Sequence, residues 1–369
     1  MGNGCRSSFR AGLKGLFVVS VVAAAGSCCA ETRGYAISLV HTATYADPSH
    51  CPRGGNGATT EIHTRILMTR GHSKEEATKI LTGNERKEDF EHRGKLGGQT
   101  VDIGNFPMSV PDPKIETAQG RYAYGFDLDG KAAQQPGAFI DPETNQPVEN
   151  QMWRVLGCFT AYQYRLPGIP YNEGITWDTA MDSMPAWLLS ISGDDLTRDG
   201  DVTVTFDRAL DVLIRNTRGG VLAGSSYTID TDPRSHTVFK GHIKDRVVTI
   251  EPGNFFMQGE SQFYPVLRFT QTHLRLTLNP DGTLRGFIGG YQPWLDYYHY
   301  VSVRGEEDGQ IDIPGVYYAM RRLADAAPDP VTGQNMAISA AYYMEATPAY
   351  LLTREGKAFA RLHISGAKP

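Results

Sequence analysis

The stretch Leu274-Arg275-Leu276-Thr277-Leu278-Asn279-Pro280-Asp281-Gly282-Thr283-Leu284-Arg285-Gly286-Phe287-Ile288 sets the fold class. Leu274, Leu276 and Leu278 alternate with Arg275 and Thr277, the period of two that puts one strand face in a core. Asn279-Pro280-Asp281-Gly282 supplies turn chemistry, and Thr283 to Ile288 runs back as the partner strand. The pattern recurs upstream. Val202, Val204 and Phe206 alternate with Thr203 and Thr205. Tyr227 to Ile229, Thr237 to Ile243 and Arg246 to Ile250 read as further strands, the last two joined at Lys244-Asp245. Short strands separated by Gly, Pro and Asp turns predict a mainly β chain, an antiparallel sandwich or a barrel-like domain.

On either side the rhythm changes. Gly315 to Ala326 has Val316, Met320 and Leu323 at helical spacing and ends before Pro328-Asp329-Pro330. Ala337 to Leu352 returns to strand, with a break at Pro348. Before Pro185 the chain is loop-rich and partly helical. Residues 31–58, 84–120 and 166–187 read as irregular. Glu61 to Arg70 and Lys74 to Leu81 read as a helical hairpin, the second helix opened by the capping box Ser73-Lys74-Glu75-Glu76. The expected organisation is a leader over 1–30, a loop-rich mixed α/β region over 31–185, and a β-rich domain over 186–369 with a C-terminal helix and strand.

The leader has the three parts of a secretion signal. Arg6, Arg10 and Lys14 form a basic start, Leu16 to Ala25 is apolar apart from Ser20, and Ala25-Gly26-Ser27-Cys28-Cys29-Ala30 follows. The apolar run is shorter than the roughly 20 residues that span a bilayer. Small residues before Cys28 match a bacterial lipobox, in which that cysteine is acylated; cleavage after Ala30 is the alternative. The sequence therefore predicts export to the periplasm or outer membrane of a bacterium, with a lipid anchor as the membrane partner. Removing the leader takes away three cations and no anion, so the rest of the chain is three charges more negative than the full-length value of −5. No Lys/Arg cluster remains there, which argues against nucleic acid as a partner. Only Cys51 and Cys158 are left in the folded body, and in an oxidising compartment they are expected to pair.

Two stretches carry candidate sites. Gly125-Phe126-Asp127-Leu128-Asp129-Gly130-Lys131 nearly matches a phosphate-binding loop, but Ala132 offers no hydroxyl and two aspartates would repel phosphate. The same aspartates suit a hard cation that wants six to eight oxygens. Asp127, Asp129, Asp141, Glu149 and Asn150 are the expected ligands of a structural calcium, set against solvated acids in a β-turn. The second stretch, Gly289 to Tyr300, is dense in aromatics. Exposed, Tyr291, Trp294 and Tyr297 would form a stacking platform for a glycan or another envelope ligand, with Asp296 and His299 adding polar contacts; buried, they would plug one end of the β domain. Asp178 and Asp182, four residues apart, read as adjacent surface acids rather than a glycosidase pair.

There is no Gly-x-Ser-x-Gly, no His-Glu-x-x-His and no complete catalytic motif. The expectation is a binding or structural protein of the cell envelope rather than an enzyme. The alternatives are an envelope glycan hydrolase using the aromatic platform, and a haem- or redox-associated periplasmic protein suggested by His50-Cys51-Pro52. Cell fractionation with N-terminal mass determination tests the export reading: the chain is expected in the envelope, cut at Cys28 or after Ala30, and a cytoplasmic chain with its N-terminus intact would refute it.

Overall fold

The computed structural model describes residues 30–57, 61, 64–65, 67–68, 71–83, 93–260, 264–308 and 311–353. The leader with Cys28, and much of the helix read at 61–70, lie outside the described residues. Eight strands follow in chain order: β1 (Glu31–Thr42), β2 (Pro185–Gly193), β3 (Gly200–Val212), β4 (Thr237–Lys244), β5 (Val247–Ile250), β6 (Tyr264–Leu278), β7 (Leu284–Pro293) and β8 (Asn335–Pro348). Each pairs antiparallel with the next, and β8 returns to pair with β1. The result is a closed up-and-down barrel, which removes the free edges an open sheet would expose. After Pro252 the strand Gly253–Glu260 continues along β6 as its hairpin partner.

The register identifies the inner face. Thr42 pairs with Tyr342, Val40 with Met344 and Ile37 with Ala346; Tyr342 faces Ile288, and Leu284 faces Leu278. Paired residues share a face, so these side chains, with Leu274 and Leu276, fill the barrel. A bulge keeps the long strand β6 in step: the four residues Thr270 to His273 oppose the three from Tyr291 to Gly289. Gln271 takes the extra position at φ 51°, so the inward set shifts from Leu267 and Phe269 to Leu274, Leu276 and Leu278.

The Asn279–Gly282 turn closes its hairpin as the sequence indicates, while the β4–β5 turn falls one residue later than the expected Lys244-Asp245, because Lys244 still pairs with Val247. In the β6–β7 turn, Gly282 adopts φ 85° and donates to the Asn279 carbonyl at 3.0 Å, while the Asp281 carboxylate accepts from the Thr283 amide at 3.0 Å. Asp245 and Arg246, both at positive φ, form the two-residue β4–β5 turn that matches the twist of its strands.

Two long insertions decorate the barrel. Residues 43–184, between β1 and β2, carry α1 (Lys74–Thr82), α2 (Gln151–Leu156) and α3 (Tyr171–Ser183). Residues 294–334, between β7 and β8, carry α4 (Trp294–Asp308) and α5 (Ile313–Leu323). α1 has the capping box read from sequence, with Ser73 accepting from the Glu76 amide and Glu76 accepting from the Ser73 amide. α4 and α5 pack on each other and on β8, and α3 packs on β1 and β6, so the helices gather at the end where β1 finishes and β8 begins.

Three irregular readings are corrected. Residues 31–42 form β1; Tyr35, Ala36, Ile37 and Val40 are buried on both faces of the sheet, so the run lacks the alternation that marks a strand with one solvated face. Residues 171–183 form α3, where Gly174, Thr176 and Thr179 weaken local propensity and burial of Trp177, Ala180 and Met181 at helical spacing outweighs it. Within 84–120, Arg93–Leu96 and Gln99–Asp102 form a small hairpin.

Cys51 and Cys158 are joined by a disulfide whose Cα atoms lie 5.7 Å apart and which spans a sequence separation of 107. It ties the first segment after β1 to the end of α2. On the chain-entropy model, replacing Cys51 with Ala should lower stability by about 4 kcal/mol. Urea unfolding of the variant against the parent measures this, and an unchanged midpoint would show that the bridge constrains nothing.

Candidate functional site

The outer faces of β5 to β8 form two ladders. One runs Thr249–Arg275–Phe287–Tyr343–His41, and the next runs Val247–Thr277–Arg285–Glu345. Residues 121–150 lie across the first ladder as a pad. Tyr124 stacks on Phe287 with centroids 4.5 Å apart, and Phe126 approaches His273 at 5.6 Å. The double glycine is explained here. A Cβ on Gly289 would meet the Ala340 carbonyl at 2.5 Å and the Phe126 ring at 3.0 Å, and one on Gly290 would meet the Thr270 carbonyl at 2.7 Å.

One ion pair fastens the pad. Asp141 is wholly buried and accepts from Arg275 at 2.8 Å and from the amides of Glu143 and Thr144 at 2.9 Å each. The Arg275 guanidinium also lies over the Phe287 ring, 5.1 Å from its centroid. With its lone pairs taken by backbone donors and a guanidinium, this buried carboxylate is satisfied as a buried charge must be.

Where the pad stops short, a cleft of about 510 Å³ opens between it and the second ladder. Tyr124, Glu143, Arg275, Arg285, Phe287 and Tyr343 line it. Arg285 is exposed and makes no ion pair among the described residues. Burial raises the Glu143 carboxyl above its ordinary range, against the opposing pull of Arg275. The Tyr343 hydroxyl donates to Glu345 at 2.7 Å. The cleft thus presents guanidinium donors, carboxylate acceptors and phenol hydroxyls beside aromatic edges.

The acids and the amide expected to hold calcium are distributed along the pad. Asp127 accepts from the Ala132 amide at 2.9 Å and Asp129 from the Lys131 amide at 2.8 Å. Glu149 accepts from Tyr291 at 3.1 Å, from the Leu128 amide at 3.2 Å and from Gln135. Asn150 caps α2 by accepting from the Trp153 amide at 2.8 Å. Asp141 is the ion-paired residue above. Among the described residues, no group of three or more His, Cys, Asp or Glu side chains is placed to hold a metal ion.

The aromatic segment turns from β7 into α4 at Trp294. Trp294 and Tyr297 are each 3 % exposed, and Asp296 is engaged by Arg268 at 2.5 and 3.0 Å. Tyr291 is half-buried on Glu149, and His299 is exposed. Two of the three platform rings are therefore core, and the polar residues beside them point to separate surroundings. Asp178 and Asp182 share Arg215, at 3.5 and 2.7 Å.

A polar cluster that sequence reading missed sits at the helical end of the barrel. Glu173 on α3 is buried and accepts from the Thr42 amide at 2.7 Å, from the Thr42 hydroxyl at 2.8 Å and from Tyr297 at 3.3 Å. Tyr162 and Tyr297 share a hydroxyl contact of 3.0 Å, and Tyr342 donates to Gln292 at 2.7 Å. His41 lies 4.0 Å from Glu173 with Nδ1 2.8 Å from the Thr42 carbonyl. Burial pushes Glu173 up to about 7 and His41 down to about 4, so both prefer the neutral form and the contact is not a charge pair below neutral pH. A glutamate in a run with Gly174 and Thr176 gives no sequence signal of burial.

Comparison of the chain with family models, curated proteins and solved structures returns no match.

The buried pair predicts a pH signature. The Glu173 pKa is raised from 4.5 to about 7, so its contribution to stability is present below 4.5 and is lost as pH rises through 7. The His41 pKa is depressed from 6.5 to about 4, so its contribution is present above 6.5 and is lost as pH falls through 4. The two slopes oppose each other between pH 4.5 and 6.5. Glu173→Gln should leave the His41 slope uncompensated. Relative to that variant, the parent should lose on the order of 3 kcal/mol between pH 4.5 and 7. Urea unfolding across that range reads the difference, and parallel profiles would remove Glu173 from the titration.

Proposed function

We propose that this chain is an exported binding protein of the cell envelope, lipid-anchored through Cys28, whose ligand is a hydroxyl-rich, glycan-type molecule held in the cleft on the outside of the barrel. The cleft carries this reading. It sets Arg275, Arg285 and Glu143 beside Tyr124 and Tyr343, and paired donors and acceptors flanked by aromatic edges suit a polyol. The barrel interior is filled by its own side chains, which favours recognition on the outer surface. The Cys51–Cys158 bridge and the basic-then-apolar leader support export.

A glycan hydrolase is the second reading. Glu143 favours it, because an exposed carboxyl that faces the cleft, and that partial desolvation shifts upward, is placed for general-acid work.

A saccharide panel titrated into the protein separates the two. Arg285→Gln and Tyr124→Ala are expected to weaken binding about tenfold each, the scale of one charged hydrogen bond or ring contact. Product formation that Glu143→Gln abolishes would replace the binding protein with the enzyme. Absence of binding to any saccharide, or binding indifferent to both cleft variants, sinks the reading.

A further inference from the structure

The register that fills the barrel with Leu, Ile, Val, Phe and Tyr places two arginines on the same inner face at the end opposite the helices. Arg33 pairs with Ile191, two positions before the inward Tyr35. Arg246 precedes Val248, which opposes the inward Leu276. The Leu278 amide donates to the Arg246 carbonyl at 2.8 Å, which extends that ladder by one step. Both arginines line a pocket of about 350 Å³ with Tyr35, Leu196, Leu278 and Asn279.

The charges there are incompletely matched. Arg33 is only 8 % exposed; its Nε meets the Glu31 carboxylate at 2.7 Å, and one of its terminal guanidinium nitrogens is buried with no hydrogen-bond partner. A buried guanidinium with an unused donor is costly unless a further acceptor reaches it. Arg246 directs Nε and a terminal nitrogen to the Leu278 carbonyl at 2.9 and 2.5 Å, and no carboxylate pairs with it among the described residues. It also occupies φ 66°, a conformation that costs a side-chain-bearing residue energy and that glycine or asparagine would adopt more readily. Glu31 offsets one of the two positive charges, so the residues lining the pocket keep a net positive charge, with one Arg33 terminal nitrogen unpartnered.

We propose that this mouth of the barrel binds a phosphate group, held between Arg33 and Arg246. Planar guanidinium forks are the donors best matched to phosphate oxygens. The mouth is also where β1 begins, at Glu31. If the acyl site is Cys28, which rests on the export reading, the three Cα–Cα steps from Cys28 to Glu31 reach about 10 Å at most. The mouth would then lie at the phosphate layer of the membrane. A lipid headgroup and a soluble phosphate ester share this chemistry.

The test uses the full chain with Cys28→Ser, which removes the acyl site. Inorganic phosphate and glycerol 3-phosphate are titrated by calorimetry, and phosphatidylglycerol vesicles by co-sedimentation. Saturable binding is expected, weakened about tenfold or more by Arg33→Gln and by Arg246→Gln, in line with the loss of a charged hydrogen bond, and unchanged by Arg285→Gln on the other cleft. Retention on vesicles that the same two variants abolish assigns the lipid headgroup. Binding of the soluble phosphates alone assigns a soluble ester. Arg246 is exposed, so Arg246→Gln decides the matter if Arg33→Gln does not fold. Binding of none of the probes, or binding that Arg246→Gln leaves unchanged, overturns the proposal. Loss of the lipid anchor in fractionation would overturn only the export reading.

Discussion

The antiparallel pairing of β1 with β8 is the constraint on which the rest of this structure depends. It joins residues 35–42 to residues 342–348, nearly the two ends of the described chain, and turns an open meander into a barrel. Closure satisfies the backbone groups of both outer strands, and it fixes which side chains point inward on all eight. A one-residue slip in that ladder would turn Tyr35, Ile37, Val40 and Thr42 outward together. The bulge between Ile37 and Leu39 is where this ladder absorbs the barrel's curvature.

Because closure packs the interior with aliphatic and aromatic side chains, chemistry is left to the ends and the outside. The inner face is polar only near its two mouths. At the helical end, Thr42 meets Glu173, Tyr297 and Tyr162 in a buried network whose acid favours its proton, and the buried Tyr342–Gln292 pair is separate from it. At the other end, Arg33 and Arg246 carry charge into a pocket open to a ligand. One end therefore removes charge by burial and hydrogen bonding, while the other keeps it.

The outer cleft follows from a different pressure. Strands β7 and β8 present Phe287, Ala341 and Tyr343 outward, and apolar surface of that kind must be covered. The pad covers it, and the Arg275–Asp141 pair sets where the pad sits. A buried ion pair is a weak source of net stability, but breaking one side of it leaves an uncompensated charge, so it selects a single docking position. The cleft is the part of the outer face that the pad, held in that position, leaves open. Asp141 thus acts by holding the pad against Arg275, and Arg285 and Glu143 are left facing the open space.

The mainly β class, the β6–β7 hairpin, the Ser73 capping box, the break at Pro348 and the Cys51–Cys158 pairing were legible in the sequence. Each rests on a local signal: a two-residue period, a turn tetrapeptide, a cap at fixed spacing, or the fact that only two cysteines follow residue 30. The alternation of Leu with Arg and Thr even marked Arg275 and Thr277 as outward. Closure was not legible, because β1 is covered on both faces and shows no period. Neither was α3, whose helix is held by burial of Trp177, Ala180 and Met181 rather than by propensity. Which arginine would meet which acid, and that Glu173 would be buried while Glu143 faced a cleft, depended on contacts between segments far apart in the chain. Residue types and local spacing carry strand, turn and cap, because those are short-range physics. The sites belong to the tertiary structure, because burial and charge pairing exist only once the barrel has closed.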